Sequence, residues 1–209
     1  MRINAPARLA VAWLTMFLVG TELFVFSPLL PVLAANYQVA PASAGLSVTV
    51  FSLAYLVSAP LFGYFSDRIG HRRVLICSLL AFALANILTA GAANLPSLLG
   101  VRLFAGAAAA GVSPSIYALV GSAAPPERRA TWLALVVSGL LVSLAIGASA
   151  GALVGVIFGG PPVFLALAGL GLVLVWLNRW VWPCDHGGAP AGPDAAVPDQ
   201  MPFLFWCAA

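Results

Sequence analysis

The chain has 209 residues, 62 % of them hydrophobic and only 7 % charged, with a mean hydropathy of +1.05. That apolar share lies far beyond the usual range of a soluble domain. The net charge of +3 rests on nine basic residues, all of them arginine, placed as membrane orientation places them and not as a nucleic-acid-binding face.

Apolar runs of about 20 residues read as membrane-spanning helices, and six occur, at roughly 10–34, 43–64, 73–93, 97–121, 130–154 and 162–182. They are continuous and do not alternate over about ten residues, so they predict helices and not a barrel. Span 1 ends in "VLA" at 32–34, which has the form of a signal-peptide cleavage site. The run is too long for that and carries Glu22, Pro28 and Pro31, so a span is predicted. Glu22 stands at its centre. An ionised carboxylate is expensive there, which favours the protonated acid and a role in carrying a proton or cation.

Arginines set the orientation. Arg2 and Arg8 precede span 1, Arg68, Arg72 and Arg73 separate spans 2 and 3, Arg128 and Arg129 separate spans 4 and 5, and Arg179 closes span 6. The loops on the other side carry no charge, so both termini are predicted to be cytoplasmic. Trp13, Trp132, Trp176, Trp180 and Trp182 fall near the same inner ends, where amphipathic rings suit the headgroup layer.

Between spans 2 and 3 runs "GYFSDRIGHRR", from Gly63 to Arg73. Gly63 is expected to end span 2 and to let another helix approach its backbone. Asp67 is the one acid of the loop, at the membrane surface, where it can pair with arginine or face a helix N-terminus. Gly70 permits a tight reversal, and Arg72 and Arg73 open span 3 on the anionic inner face. His71 and His186 read as solvated. Cys77 lies inside span 3, and Cys184 and Cys207 lie in the tail, an arrangement without a disulfide framework. No metal-ligand spacing, phosphate-binding loop or nucleophile elbow is present, so neither a cofactor nor an enzymatic reaction is expected.

In span 4, Arg102 is the one arginine away from the inner face. It either serves the interior or snorkels to the outer headgroups. Counted from the span ends, its depth differs from that of Glu22 by roughly 11 Å at 1.5 Å per residue, so a direct pair does not follow from the count. In span 5, Gly139, Ser143, Gly147, Gly151 and Gly155 recur every fourth residue and make one smooth helical face.

These features resemble the major facilitator superfamily. Gly63, Asp67, Arg68, Gly70, Arg72 and Arg73 match its signature loop between helices 2 and 3, with His71 where the family usually has arginine. Span 1, "VGTELFVFSPLLPVLA", is similar to the drug:proton antiporter and sugar (arabinose) efflux branch. Arg102 and Gly106 match the fourth-helix motif, with Ala105 in place of a common polar residue. Gly139, Gly147, Gly151 and Gly155 match the antiporter motif of helix 5. Its usual proline is replaced by Ser149, which weakens the expected bend. Only Gly159 and Phe164 persist in the segment that follows.

The resemblance implies an all-α membrane protein, six helices forming the N-terminal half of the major facilitator fold, built as two inverted three-helix repeats. It implies a multi-pass protein of the inner membrane that exports a small organic compound by alternating access coupled to protons, with drugs, sugars, nucleosides and amino acids all open as the compound. Proton coupling falls to Glu22 and Arg102, and gating to the Gly63–Arg73 loop, whose Asp67 latches against the second half. Helix packing falls to Gly106 and the span 5 glycines. Spans 1 and 4 correspond in the repeats and are expected to be broken helices, the first at Pro28 and Pro31, the second at Pro114. Thr21, Ser27, Ser113, Ser115 and Tyr117 are candidate polar lining. Residues 1–182 form the six-helix domain, and 183–209 read as a disordered tail rich in Pro, Gly and Ala. The expected second half does not follow in this sequence. The alternatives are a fragment of a larger carrier, one part of a split or dimeric carrier, or a half that does not transport.

Overall fold

The computed structural model describes residues 5–183 and is helical throughout. Helix α1 covers Ala5–Tyr37, α2 Pro41–Ile69, α3 His71–Ala90, α4 Leu95–Ala110, α5 Val112–Ala123, α6 Arg129–Val142, α7 Ala148–Phe158 and α8 Gly160–Val181. A 3-10 turn, Pro126–Arg128, leads into α6, and a π-helical turn, Ser143–Gly147, joins α6 to α7. Helices α4 and α5 together make span 4, and α6, the π turn and α7 make span 5. The described residues thus hold six helices long and apolar enough to cross a membrane. The expected tail, with His186, Cys184 and Cys207, and the N-terminal Arg2 lie outside the described residues.

Local chemistry sets the boundaries. Pro41 begins α2 after an extended Ala40, where its missing N–H costs nothing. Asn94 caps α4: its side chain accepts from the Ser97 N–H at 2.9 Å, and the Ser97 hydroxyl accepts from the Asn94 N–H at 3.2 Å. Gly159, at φ +85°, turns the chain between α7 and α8 in a backbone region that L side chains avoid.

Two expectations need correction. Span 1 is not broken: α1 runs through Pro28 and Pro31. Those prolines remove donors to the carbonyls of Phe24 and Ser27, which the continuing helix tolerates. Span 4 does break, at Gly111, three residues before Pro114, whose missing N–H releases the Ala110 carbonyl. Nor does Gly63 end span 2. The helix continues to Ile69, because one glycine is only a mild interruption, and no atom lies within 4 Å of where its Cβ would stand. Span 5 departs from regular α geometry without a proline. The π turn does this, while Ser149 donates to the Ala145 carbonyl at 2.6 Å.

Helix α1 and span 4 occupy the middle. Helix α1 packs on span 5 and α8, α2 on α4, and α3 on α8 and α4. Lipid is as apolar as leucine, so close packing must hold such helices together. The span 5 stripe does this against α1, in parallel and in register. A Cβ at Gly139 would meet the Trp13 carbonyl, at Gly147 the Thr21 side chain, at Gly151 Val25 and at Gly155 Leu29. Gly20 of α1 is in turn too close to Ser143 to carry a side chain. The outer faces are bare: Leu53, Leu56 and Leu61 of α2 and Leu141, Leu144 and Leu153 of span 5 are each at least half exposed.

Candidate functional site

The middle of the bundle holds one ion pair. Arg102 Nη1 of α4 donates to Glu22 Oε1 of α1, and both side chains are sealed, 1 % and 0 % exposed. The pair bridges the depth difference counted along the backbones, because both side chains are long and Arg102 extends toward Glu22. It does not snorkel. Glu22 Oε2 and Arg102 Nε have no hydrogen-bond partner among the described residues. Burying two charges costs several kcal/mol each, by order of magnitude, and removing one partner leaves the other uncompensated.

Two aromatic rings lie against the guanidinium. Arg102 Cζ lies 3.9 Å from the centroid of Phe26 of α1 and 4.2 Å from that of Phe51 of α2. Each distance is well inside cation–π range. Phe164 of α8 leans on Phe26 at 5.1 Å, and Tyr55 stacks on Phe51 at 6.5 Å. Tyr55 is itself held by donating to Ser113 Oγ at 3.0 Å. Gly106 lies one turn after Arg102, and a Cβ there would strike the Phe51 carbonyl. The bare glycine lets α2 come close enough to lay its ring on the guanidinium, which gives a physical reason for the spacing of arginine and glycine.

The α2–α3 turn is a second polar site, at the end of the bundle that also carries Arg8, Arg128, Arg129 and Arg179. Gly70, at φ +105°, makes the reversal. Asp67 is exposed, with its carboxylate 4.0 Å from His71 Nε2. His71 is not simply solvated. Its Nδ1 stands 2.7 Å from Ser66 Oγ, which lies 3.1 Å from Ser115 Oγ of α5. The turn is thereby tied to span 4. Arg68 stacks over Tyr64 at 4.4 Å, and Arg72 donates to the Arg179 carbonyl at 2.6 Å, closing the last turn of α8. Arg73 lies on the exposed side.

Of the candidate lining residues, Ser113 and Ser115 are buried in the contacts just described, Tyr117 is half-buried and Ser27 is exposed. Thr21 bonds its own helix, donating to the Phe17 carbonyl at 2.8 Å. Trp182 departs from the expected belt. It is 2 % exposed, donates to Asn178 Oδ1 at 2.9 Å and carries Arg8 5.9 Å over its ring. Asn178 also donates to Thr15 Oγ1 at 3.0 Å, joining α8 to α1. An apolar groove of about 390 Å³ between α2, α3 and α4, lined by Phe62, Phe65, Cys77 and Phe104, touches neither member of the buried pair.

Sequence reasoning missed Phe26, Phe51, Ser66 and Asn178. A phenylalanine one turn after an intramembrane acid is a usable signal for the first. Phe51 and Asn178 lie in apolar runs and Ser66 in the loop between spans 2 and 3, and nothing local distinguishes them. No group of three or more potential metal ligands occurs among the described residues.

Comparison with known proteins matches this architecture. The profile of the Major Facilitator Superfamily covers residues 12–199. The chain is 28 % identical over 182 residues to YceJ, an uncharacterized MFS-type transporter of Bacillus subtilis, covering 87 % of this chain and 46 % of the relative. It is 34 % identical over 174 residues to the chloroplastic sodium-dependent phosphate transport protein 1 of Arabidopsis thaliana, covering 82 % and 33 %. It is 28 % identical over 167 residues to the multi-drug resistance efflux pump PmrA of Streptococcus pneumoniae, covering 78 % and 42 %. The chain spans less than half the length of these relatives. A six-helix bundle with a charged pair at its centre, matched by one profile over most of its length, belongs to the Major Facilitator Superfamily, a family of membrane transporters and not of enzymes.

Proposed function

We propose that this chain is part of a proton-coupled exporter of a small organic compound, working by alternating access, with Glu22 and Arg102 as its coupling pair. The observation that carries this reading is the sealed carboxylate–guanidinium contact between spans 1 and 4. Ionisable residues inside a membrane mark ion and substrate pathways by default. Oε1 is engaged by Arg102, while Oε2 offers a free lone pair to an incoming proton. Protonation there neutralises the acid and weakens the ion pair, so the carboxyl can part from Arg102. Kinship with a named efflux pump favours export.

Further features support the reading. Helix α1 on span 5 and span 4 on α2 exchange places when spans 1–3 are swapped for spans 4–6, as two inverted three-helix repeats would require. The arginine-bearing end, with both termini, is then cytoplasmic in the inner membrane. Asp67 projects from the turn and serves as a latch, on a loop shaped by Gly63, Arg68, Gly70, Arg72 and Arg73. A second six-helix unit, from a longer chain or another copy, covers the bare faces of α2 and span 5.

The test is efflux from vesicles reconstituted with the protein under an imposed pH gradient, screened with drugs and sugars. Proton-driven export should vanish in Glu22→Gln; export that persists unchanged in that variant would remove the coupling assignment. Serine at position 149, where the antiporter motif has proline, favours a second reading: a half that assembles but does not transport. That reading predicts a folded protein without export under any gradient.

A further inference from the structure

We infer that Phe26 and Phe51 are positioning residues for proton exchange at Glu22, holding the Arg102 cation when its counter-ion is neutralised. The inference rests on the coupling role proposed above and goes further, to how a dry site tolerates losing one charge of a pair.

When Glu22 takes a proton, Arg102 keeps its charge, because guanidinium does not deprotonate in proteins. A buried cation left alone is strongly unfavourable. Water normally meets that demand, yet Arg102 is 1 % exposed. The two ring faces stand 3.9 Å and 4.2 Å from Cζ, on α1 and α2. They supply electron-rich surface where hydration is missing. Both rings are themselves fixed, Phe26 by Phe164 and Phe51 by Tyr55, so their faces stay in place as the pair opens.

The rings do not serve the two protonation states equally. A ring quadrupole attracts a cation and repels an anion. In the ion pair, the nearby carboxylate offsets part of what the rings contribute. With Glu22 neutral, the lone cation receives the full attraction. The clamp therefore favours the protonated state over the ionised one. Gly106 belongs to the same device, since it admits the Phe51 backbone to α4.

The test is an infrared titration of the full chain in lipid vesicles, following the carbonyl stretch of protonated carboxylic acid against pH. Glu22→Gln identifies the band. Phe51→Leu keeps apolar bulk and removes the ring. It should move the midpoint to lower pH by about one unit, a tenfold change in proton concentration. Phe51→Trp restores a ring face and should return the midpoint to the parent value, which a role in filling space alone would not predict. If Phe51→Leu loses its helical circular dichroism, Phe26→Leu tests the other face with the same expected direction. An unmoved midpoint in a folded leucine variant overturns the clamp. A titration in which Glu22→Gln removes no band overturns the coupling reading itself, and the clamp with it.

Discussion

Among the described residues, two carboxylates lie beside a basic side chain, in opposite surroundings. Glu22 and Arg102 are sealed in the middle of the bundle, with two aromatic rings against the guanidinium. Asp67 and His71 sit on the α2–α3 turn, with side chains 78 % and 29 % exposed and 4.0 Å between Oδ1 and Nε2. The same pairing chemistry therefore has different consequences. In the interior, desolvation makes each charge depend on the other. At the turn, water and salt serve either charge alone, and the contact contributes little. The buried pair is therefore a single unit, whereas Asp67 stands in solvent, open to another partner.

The largest expected effect lies at the pair. Arg102→Leu leaves Glu22 without its cation and should destabilise the folded chain by about 3–5 kcal/mol, read by denaturant unfolding in detergent at neutral pH. Combining Arg102→Met with Glu22→Gln should recover most of that loss, since replacing both charges together is often close to neutral. A double variant as unstable as the single one would show that the pair does not act as one unit. Next comes the contact that lays Phe51 on the guanidinium. Gly106→Ala pushes a methyl group against a backbone carbonyl and should cost about 1–3 kcal/mol in the same assay. Gly63→Ala should do the opposite, stabilising the chain by about 0.5–1 kcal/mol, because alanine suits a helix and the space there is open. Smallest is Asp67→Asn, expected to change stability by less than about 1 kcal/mol, with the difference fading as salt is added. An unfolding midpoint that moved as far for Asp67→Asn as for Arg102→Leu would show that the turn is not the solvated site described.

How far the fold could be read from sequence depended on the property concerned. The six spans follow from apolar run length, which the bilayer dictates; α1 and α2 extend past both ends of their runs, α2 into the polar turn Ser66–Ile69, whereas α3 stops at Ala90, short of its run's end. The span 5 glycines were legible as a face because four-residue spacing has one geometric meaning on a helix. The Glu22–Arg102 contact was not, since backbone depth says nothing about where two long side chains meet. Phe26 and Phe51 were hidden for a different reason: a ring that covers a cation looks, in sequence, like any other membrane phenylalanine. The break at Gly111 was signalled by Pro114, whereas Pro28 and Pro31 carried the same signal and α1 continued through them. A missing donor opens a helix only where the neighbours let it. The π turn of span 5 had no sequence marker comparable to the proline that Ser149 replaces.

The parallel contact of span 5 with α1 carries a mechanical consequence. Small residues recurring every four positions make a rail: Gly139 faces the Trp13 carbonyl, and Gly147, Gly151 and Gly155 face the side chains of Thr21, Val25 and Leu29. A flat rail holds two helices close yet has few ridges to oppose sliding along the axis, where one rung is about 6 Å. Alignment must then come from features that do not repeat. One is the bond from Trp13 Nε1 to Ser138 Oγ, 3.1 Å long, at the start of the rail. Another is the meeting of Gly20 with Ser143, where the π turn interrupts the regular pitch. Span 5 is a track with two stops.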